Sequence, residues 1–268
     1  MSSLALAFAD GAVVAKRNLI KIKRVPEVLI WTTMSPIMFV LLFAYVFGGE
    51  IQIGGGVSYR EYFIAGVFAQ TIIFGATFTG AGLAEDMTKG IIDRFRSLPM
   101  AQSAVLIGRT SSDIVYNLIS VVVMTIAGLI VGWRIHTGPL EAIQGFLLLL
   151  LFAYAASWIM AYVGLKVSSV EVVQNASFMF IFPMTFIANT FVESQNLPGV
   201  LRVFAEWNPV SSVAQSIRES FGNTGAPPPD AWSLQNPVLY SLIWIGIILA
   251  IFVPLSKRQY DRAAARTR

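Results

Sequence analysis

The sequence predicts an all-α integral membrane protein with six transmembrane helices. Of its 268 residues, 56% are hydrophobic and 13% are charged, whereas an ordinary soluble domain carries about 25% charged residues. The apolar residues form continuous runs close to the length of about 20 residues that crosses a bilayer core. Continuous runs indicate helices, because the strands of a membrane barrel would alternate apolar and polar positions. The predicted spans are residues 28–47, 62–83, 114–133, 143–165, 173–192 and 238–256.

The distribution of positive charge predicts the orientation. Fifteen of the 19 Lys and Arg residues lie before span 1, between spans 2 and 3, between spans 4 and 5, or after span 6. Because cytoplasmic segments carry the excess of Lys and Arg, both termini are expected in the cytoplasm. The outer segments hold the other four, which are Arg60, Arg134, Arg202 and Arg218. The net charge of +4 therefore follows from the topology, and no nucleic-acid partner is implied.

Residues 1–27 are predicted to form an interfacial helix on the inner leaflet. Arg17, Lys21 and Arg24 lie opposite an apolar stripe, as expected for a helix resting on an anionic membrane surface. The stripe consists of Leu4, Phe8, Ala12, Ala15, Leu19 and Ile22. The alternative is a solvated basic tail. The chain, 1–268, is predicted to be a single membrane domain, with the bundle at 28–256 and a basic cytoplasmic tail at 257–268.

A charged segment after span 2 has the pattern of a short amphipathic helix. If this helix begins at Glu85, it has an apolar face of Met87, Ile91, Phe95 and Leu98. Ion pairs between residues four apart would support it, and these pairs are Glu85–Lys89 and Lys89–Asp93. Pro99 would end the helix, because proline cannot donate to the helical ladder. An amphipathic cytoplasmic helix between two spans predicts contact with a partner.

The outer segment between spans 5 and 6 predicts two short helices, at residues 197–205 and 210–221. Asn208 is a candidate N-cap with a proline at the first helical position, and Gly222 is a candidate stop. Neither helix is long enough to cross a bilayer, so both are expected to lie in or dip into the outer leaflet.

The six spans as bounded above contain no Asp, Glu, Lys, Arg or His. Ion-coupled transport and intramembrane catalysis both need such groups, so no catalytic residue is assigned. The chain has no Walker-type phosphate loop and no Cys, and its single histidine, His136, is expected to be a solvated side chain rather than a metal ligand. The protein must therefore be passive or driven by an external source of energy.

Polar and small residues in the spans are expected to hold helices together. Interhelical hydrogen bonds are predicted, with lining of a pathway as the alternative, for Gln70, Asn117, Gln144, Asn175 and Asn189. An interfacial ion pair is predicted at the cytoplasmic end of span 3, between Arg109 and Asp113. Close helix packing is predicted at Gly75, Gly80 and Gly82.

Three motifs resemble a known family. The segment KGIIDRFRSLPMAQSAVLIGR, residues 89–109, resembles the cytoplasmic loop of ABC-2-type exporter permeases, especially those of the daunorubicin-resistance-type branch. The segment NPVSSVAQSIRESFG, residues 208–222, is similar to the outer helical segment of the same family. The FP-x-x-F motif at 182–186, with Asn175 upstream, is similar to its fifth span.

The resemblance implies the membrane half of an ATP-driven exporter in the bacterial plasma membrane. The segment after span 2 would then be a coupling helix that touches a separate ATPase, with its contacts at Glu85, Asp86, Lys89, Asp93, Arg94, Phe95 and Arg96. Two permease units, identical or paralogous, would pair with two ATPases, which would hold ATP and Mg²⁺; this chain would hold no cofactor. The substrate would be hydrophobic or amphipathic, that is a lipid, a glycolipid or a drug.

Aromatic side chains on spans 2 and 5 are the candidates for lining the substrate pathway, which we expect between two permease units. These candidates are Phe68, Phe74, Phe78, Phe178, Phe182 and Phe186, and the amide Asn175 is a further candidate. The alternative is that the rings only pack against neighbouring helices or lipid. The alternative function is a passive membrane scaffold or receptor that docks a cytoplasmic partner; an intramembrane enzyme is disfavoured.

Overall fold

The computed structural model describes residues 3–24, 26–47, 56–96, 104–167, 169–225 and 229–265. Within these ranges the regular structure is helical and contains no strand. The α-helices are α1 (Ser3–Arg24), α2 (Pro26–Leu42), α3 (Tyr59–Thr88), α4 (Ile91–Arg96), α5 (Ala104–Ile130), α6 (Pro139–Lys166), α7 (Val170–Phe186), α8 (Gly199–Trp207), α9 (Pro209–Phe221), α10 (Trp232–Gln235) and α11 (Pro237–Ala265).

Four of these helices are long and apolar enough to cross a membrane: α3, α5, α6 and α11. They correspond to predicted spans 2, 3, 4 and 6. Predicted span 1 is α2, which continues into a π-helical turn at Phe43–Phe47. Predicted span 5 is α7, which has 17 residues and ends at Phe186, six residues before the predicted end. The helical membrane class is therefore supported by four long apolar helices, and α7 is shorter than predicted span 5.

Several helices run on past the ends of the predicted spans, and one predicted helix start is wrong. Helix α3 continues to Thr88, so no new helix begins at Glu85. The break comes at Gly90, whose φ of +64° suits glycine, and α4 has only six residues. Helix α5 begins at residue 104 and includes Arg109 and Asp113. Helix α11 extends to residue 265, so most of the predicted tail is helical.

Helix α3 lies at the centre of the bundle, and its most extensive packing is with α6. At Gly164 of α6 a Cβ atom would lie 2.7 Å from the Cα of Gly80 on α3, so the two backbones touch directly. A Cβ atom at Gly75 would likewise lie 2.7 Å from Asn117 Oδ1, and one at Gly82 would lie 2.5 Å from Arg109 Nη1. The predicted close packing at the three glycines of α3 is thereby confirmed.

The outer segment folds into the bundle more deeply than predicted. The bounds of α8 and α9 lie within two residues of the predicted ones. Asn208 caps α9 by accepting a hydrogen bond from the N–H of Val210 at 2.9 Å, and Gly222 ends the helix with a φ of +70°. However, α9 packs against α3, α6 and α11 and is buried from Val210 to Arg218, so it does not rest on the bundle surface.

Helix α8 is amphipathic, but its apolar face points outward, whereas a helix on the surface of a soluble protein turns its apolar face inward. Its inward side carries Ala205 and Glu206, and the Arg202 Nε donates a hydrogen bond to the Glu206 carboxylate at 2.7 Å. Its outward side carries exposed apolar residues, which are Val200, Leu201, Val203, Phe204 and Trp207. An outward apolar face suits the predicted position of this helix at a leaflet surface.

The contact between α3 and α6 predicts that Gly164→Ala destabilises the fold. The added methyl group would meet backbone atoms of Gly80, which cannot move as a side chain can, so we expect a loss of about 1–3 kcal/mol. The measurement is thermal unfolding of the purified protein in detergent.

The matched control is Gly246→Ala on α11. Apart from its chain neighbours and the backbone of its own helix, no atom of the described part of the chain lies within 4 Å of a Cβ built at this exposed position. This variant should be as stable as the wild type or gain up to about 1 kcal/mol from the helix propensity of alanine. Equal unfolding temperatures for the two variants would contradict the backbone contact.

Candidate functional site

The segment that resembles a coupling helix is divided by Gly90. Glu85 and Asp86 belong to the last turn of α3, and Lys89 is its C-cap. The predicted Glu85–Lys89 ion pair is present, and this hydrogen bond raises the pKa of Lys89. The exposed side chain of Arg94 lies on α4. The side chains of Asp93 and Arg96, and residues 97–103 with Leu98 and Pro99, lie outside the described part of the chain.

Arg17 joins the amino-terminal helix to both parts of this segment. Its Nη2 lies 2.8 Å from the Asp86 Oδ2 on α3, and its guanidinium lies 5.0 Å from the centre of the Phe95 ring on α4. One residue on, Asn18 Nδ2 donates a hydrogen bond to Ser112 Oγ on α5 at 3.1 Å. Arg17 was expected to face the membrane surface, so the structure corrects its position.

The buried side of α1 also differs from the predicted stripe. Gly11, Val14 and Asn18 are buried, whereas Ala12 of the stripe is exposed and its Ala15 and Leu19 are half-buried. The side chains of the other stripe residues, Leu4, Phe8 and Ile22, lie outside the described part of the chain. The cause is the close approach of α5, since a Cβ on Gly108 would lie 2.5 Å from the Gly11 carbonyl oxygen. Helix α1 therefore packs on protein along the Gly11 side. We call this part of the molecule, with α1 and α4, the α1 end, and the opposite part, with α8 and α9, the α9 end.

Apolar packing holds α4 against the bundle. Ile92 is buried, and Phe95 is partly buried beside it. The cluster that receives them consists of Leu83, Val105, Leu106, Trp158, Ala161, Leu165 and Tyr260. A force on α4 would therefore be transmitted to α3, α5, α6 and α11 together.

Arg109 and Asp113 form the predicted ion pair, with 3.5 Å between Nε and Oδ2. The pair lies between α3 and α5 and is largely buried. Arg109 Nη2 donates a hydrogen bond to the Phe78 carbonyl at 2.6 Å. The Thr79 hydroxyl donates a hydrogen bond to the Asp113 carboxylate. The pair therefore connects two spans as well as anchoring a helix end.

A cavity of about 420 Å³ lies at mid-depth between α2, α3, α5 and α7. Its walls are mainly apolar and aromatic, with an amide from Gln70 and several hydroxyl groups. The lining residues are Ser35, Pro36, Phe39, Val67, Gln70, Thr71, Phe74, Gly75, Thr77, Phe78, Tyr116, Ser120, Phe178 and Phe182. None of these described lining residues carries a formal charge, so the cavity suits an apolar or aromatic molecule.

Four of the predicted pathway residues line this cavity: Phe74, Phe78, Phe178 and Phe182. Phe68 is 1% exposed and instead packs in the core against aromatic neighbours, which are Trp133, Phe146 and Phe221. Phe186 stacks on Phe182 but is not among the lining residues, and Asn175 is exposed on α7. The cavity is lined by one chain; the route between two permeases and a role of any of these residues in transport stay predictions.

Sequence reasoning missed the contributions of α2 and α5 to this cavity. Phe39, Tyr116 and Ser120 line it, yet nothing in an apolar run marks which face of a helix meets its neighbours. Gln70 also lines the cavity, which is the alternative that the sequence left open for this lone amide in an apolar span.

The other polar residues divide between helix contacts and exposed positions. Asn189 accepts a hydrogen bond from the Tyr62 hydroxyl of α3, as predicted. Asn117 donates to the carbonyl of Asp113 within its own helix, so the predicted interhelical hydrogen bond is wrong there. Gln144 is exposed on α6. His136 is half exposed, and its Nε2 lies 2.7 Å from Glu61 Oε1.

Comparison with known proteins agrees with the motifs. Residues 11–221 match the model of the family described as ABC-2 type transporter. The daunorubicin resistance ABC transporter permease protein DrrB1 of Streptomyces coeruleorubidus is 31% identical over 244 residues, covering 91% of this chain and 83% of the relative. The probable doxorubicin resistance ABC transporter permease protein DrrC of Mycobacterium tuberculosis is 22% identical over 229 residues, covering 85% and 80%.

The contact between Arg17 and Asp86 predicts a measurable coupling between the two side chains. In a double-mutant cycle of Arg17→Met and Asp86→Asn, thermal unfolding in detergent should give a coupling of about 0.2–1 kcal/mol, because a partly exposed ion pair is weakened by solvent. The control pair, Arg17→Met with Arg202→Met at the other end of the bundle, should be additive. Additivity in both cycles would contradict the ion pair.

Proposed function

The chain belongs to the ABC-2 type transporter family, and we propose that it is the permease subunit of an exporter that moves a hydrophobic or amphipathic molecule from the cytoplasm or inner leaflet to the outside. A separate ATPase supplies the energy. The observation that carries this proposal is the uncharged, aromatic cavity at mid-depth. A site of this kind accommodates an apolar molecule, and the sequence offers no phosphate loop with which the chain could use ATP itself.

The proposed topology has six spans, with both termini on the cytoplasmic side of a bacterial plasma membrane. The positive charge of the segments at the α1 end supports this orientation. Helix α7 has 17 residues, which is near the lower limit of about 17 for a spanning helix. Helix α2 and its π-helical turn together cover residues 26–47, a sufficient length.

The ATPase would dock at the α1 end, on the segment that contains Glu85, Asp86, Lys89 and α4. Because Arg17 contacts both Asp86 and Phe95, α1 would move with this segment when the ATPase moves it. ATP and Mg²⁺ would bind on the ATPase, and a second permease, identical or paralogous, would complete the exporter. The family supports both partners.

The substrate would occupy the cavity of each chain on its way across the membrane. Relatives are named for resistance to daunorubicin and doxorubicin, which supports a drug as the substrate class. A lipid or a glycolipid would also match an apolar cavity with a few hydroxyl groups and one amide. A route that continues between two permeases agrees with the exposed outer face of α7, where Met179 and Phe180 face away from the bundle.

Charge reversal at Arg94 tests ATPase docking. Arg94→Glu should reduce co-purification of the ATPase and export by about tenfold, the effect of about 1.4 kcal/mol of lost binding. Lys257→Glu is the matched control, because Lys257 is also exposed at the α1 end but lies on α11. Wild-type export from both variants would contradict the docking site. An absence of any ATPase-dependent export by the wild type would favour a passive scaffold.

Filling the cavity tests the substrate site. Thr71→Trp places an indole among the lining residues, so substrate-stimulated ATP hydrolysis and export should fall by about tenfold or more, since overpacking and lost volume cost about 1–3 kcal/mol. Val122→Trp, on the exposed face of α5, should have no effect. Equal export by the two variants would show that the cavity is not on the route.

A further inference from the structure

Aromatic rings continue from the cavity toward the α9 end of the molecule. Phe178 stacks on Phe182 with 5.0 Å between ring centres, and Phe182 stacks on Phe186 at 4.1 Å. Phe186 contacts Phe191 at 4.8 Å, and Phe191 contacts Phe63 at 5.9 Å. The series therefore begins in the cavity wall on α7 and reaches the first turns of α3.

Phe43 completes the group beyond the cavity. Its ring stacks on Phe63 at 5.1 Å and on Phe191 at 5.6 Å. Phe43 begins the π-helical turn that ends span 1, and such turns are frequent at functional sites. We call Phe43, Phe63, Phe186 and Phe191 the ring cluster. Phe63 is fully buried and Phe191 is 5% exposed, so the cluster is densely packed between the cavity and the α9 end.

The position of Phe191 depends on Arg218. The backbone after α7 leaves the helix at Ile187, and the carbonyls of Asn189 and Thr190 accept hydrogen bonds from the guanidinium Nη1 and Nη2 at 2.7 and 2.9 Å. The same guanidinium donates from Nε to the Tyr62 carbonyl on α3 at 3.0 Å. Arg218 thereby fixes the two residues that precede Phe191 against the start of α3.

A glycine allows this approach. A Cβ at position 66 of α3 would lie 2.8 Å from the Cα of Thr190, so only glycine lets the segment after α7 touch α3 here. Thr190 adds a hydrogen bond from its hydroxyl to the Thr185 carbonyl. The segment from Ile187 to Phe191 is thus held by α3 on one side and by α9 on the other.

We propose that the ring cluster closes the cavity toward the outer face, and that Arg218 is the positioning residue that holds Phe191 in it. The proposal rests on the exporter function and on the orientation proposed above. A substrate would leave the cavity when the segment after α7 moves and Phe191 withdraws from Phe43 and Phe63. Arg218 does not line the cavity, so it acts on export through the position of this segment.

Thiol labelling tests the closure, because the chain contains no Cys of its own. Thr71→Cys places one thiol in the cavity, and a membrane-impermeant maleimide is added outside intact cells. With the ring cluster intact this thiol should stay unlabelled. Adding Phe191→Ala should make labelling about tenfold faster or more, the shift expected when aromatic contacts of a closed state are lost. Arg218→Gln should have the same effect, and Arg218→Lys a smaller one.

Two controls separate closure from general loosening. Phe68→Ala removes a buried ring from α3 outside the ring cluster, so it should leave Thr71→Cys unlabelled. Glu141→Cys, an exposed position at the first turn of α6 that lies outside in the proposed topology, should label in every background and reports that each variant is inserted and folded.

Unchanged protection of Thr71→Cys in both the Phe191→Ala and the Arg218→Gln backgrounds, with Glu141→Cys labelled, would overturn the proposal. Equal labelling in the Phe68→Ala background would also overturn it. The experiment needs no ATPase. If the same variants open the cavity only to reagent on the cytoplasmic side, closure by the ring cluster holds and the proposed orientation fails.

Discussion

The burial of one guanidinium organises the α9 end of this protein. Arg218 is 0% exposed, and a cation that leaves water loses hydration worth several kcal/mol, which hydrogen-bond acceptors in the protein must offset. Here backbone carbonyls from α3 and from the segment after α7 accept its hydrogen bonds, and the ring of Tyr62 lies 3.5 Å from its Cζ. The position of α9, the end of α7 and the start of α3 are therefore determined together.

The charged and aromatic residues are separated along the molecule in a way that suits a driven transporter. At the α1 end, the Arg17–Asp86 ion pair joins α1 to α3. Arg109, which pairs with Asp113 on α5, donates a hydrogen bond to the carbonyl of Phe78 on α3. Phe78 also lines the cavity, so the polar contacts at this end and the cavity wall share a helix turn. At the α9 end the cavity is followed by stacked rings. The uncharged cavity lies between a polar region that a partner could move and an aromatic region that can open.

The sequence was sufficient to identify the long helices, but not all of their ends or the way their faces meet. Runs of apolar residues and the caps at Asn208 and Gly222 depend on local chemistry, which is why α9 was predicted to within one residue at its start. A helix could equally have continued through Gly90, because a single glycine costs a helix only about 1 kcal/mol. Tertiary contacts therefore decide whether the helix breaks there. Arg218 was assigned to an outer segment from its place between predicted spans 5 and 6, and nothing local reveals the carbonyls that surround it.

The same limit explains the aromatic residues of α3. Phe68, Phe74 and Phe78 lie on one helix and have the same chemistry, but Phe68 packs in the core while the other two line the cavity. Only the arrangement of α2, α5 and α7 around α3 separates them. The face of α1 was misjudged for a similar reason, since an apolar stripe indicates burial without saying whether lipid or protein provides it.

The direct contact of backbones at Gly80 and Gly164 has a mechanical consequence. Where two helices meet through side chains, rotamer changes let them slide and tilt over small distances. Between α3 and α6 there is no side chain at the point of contact to repack, so the two helices form one stiff wall of the bundle. Shape changes that open or close the cavity must then come from its other walls, α2, α5 and α7, which move relative to α3 while α3 stays fixed on α6.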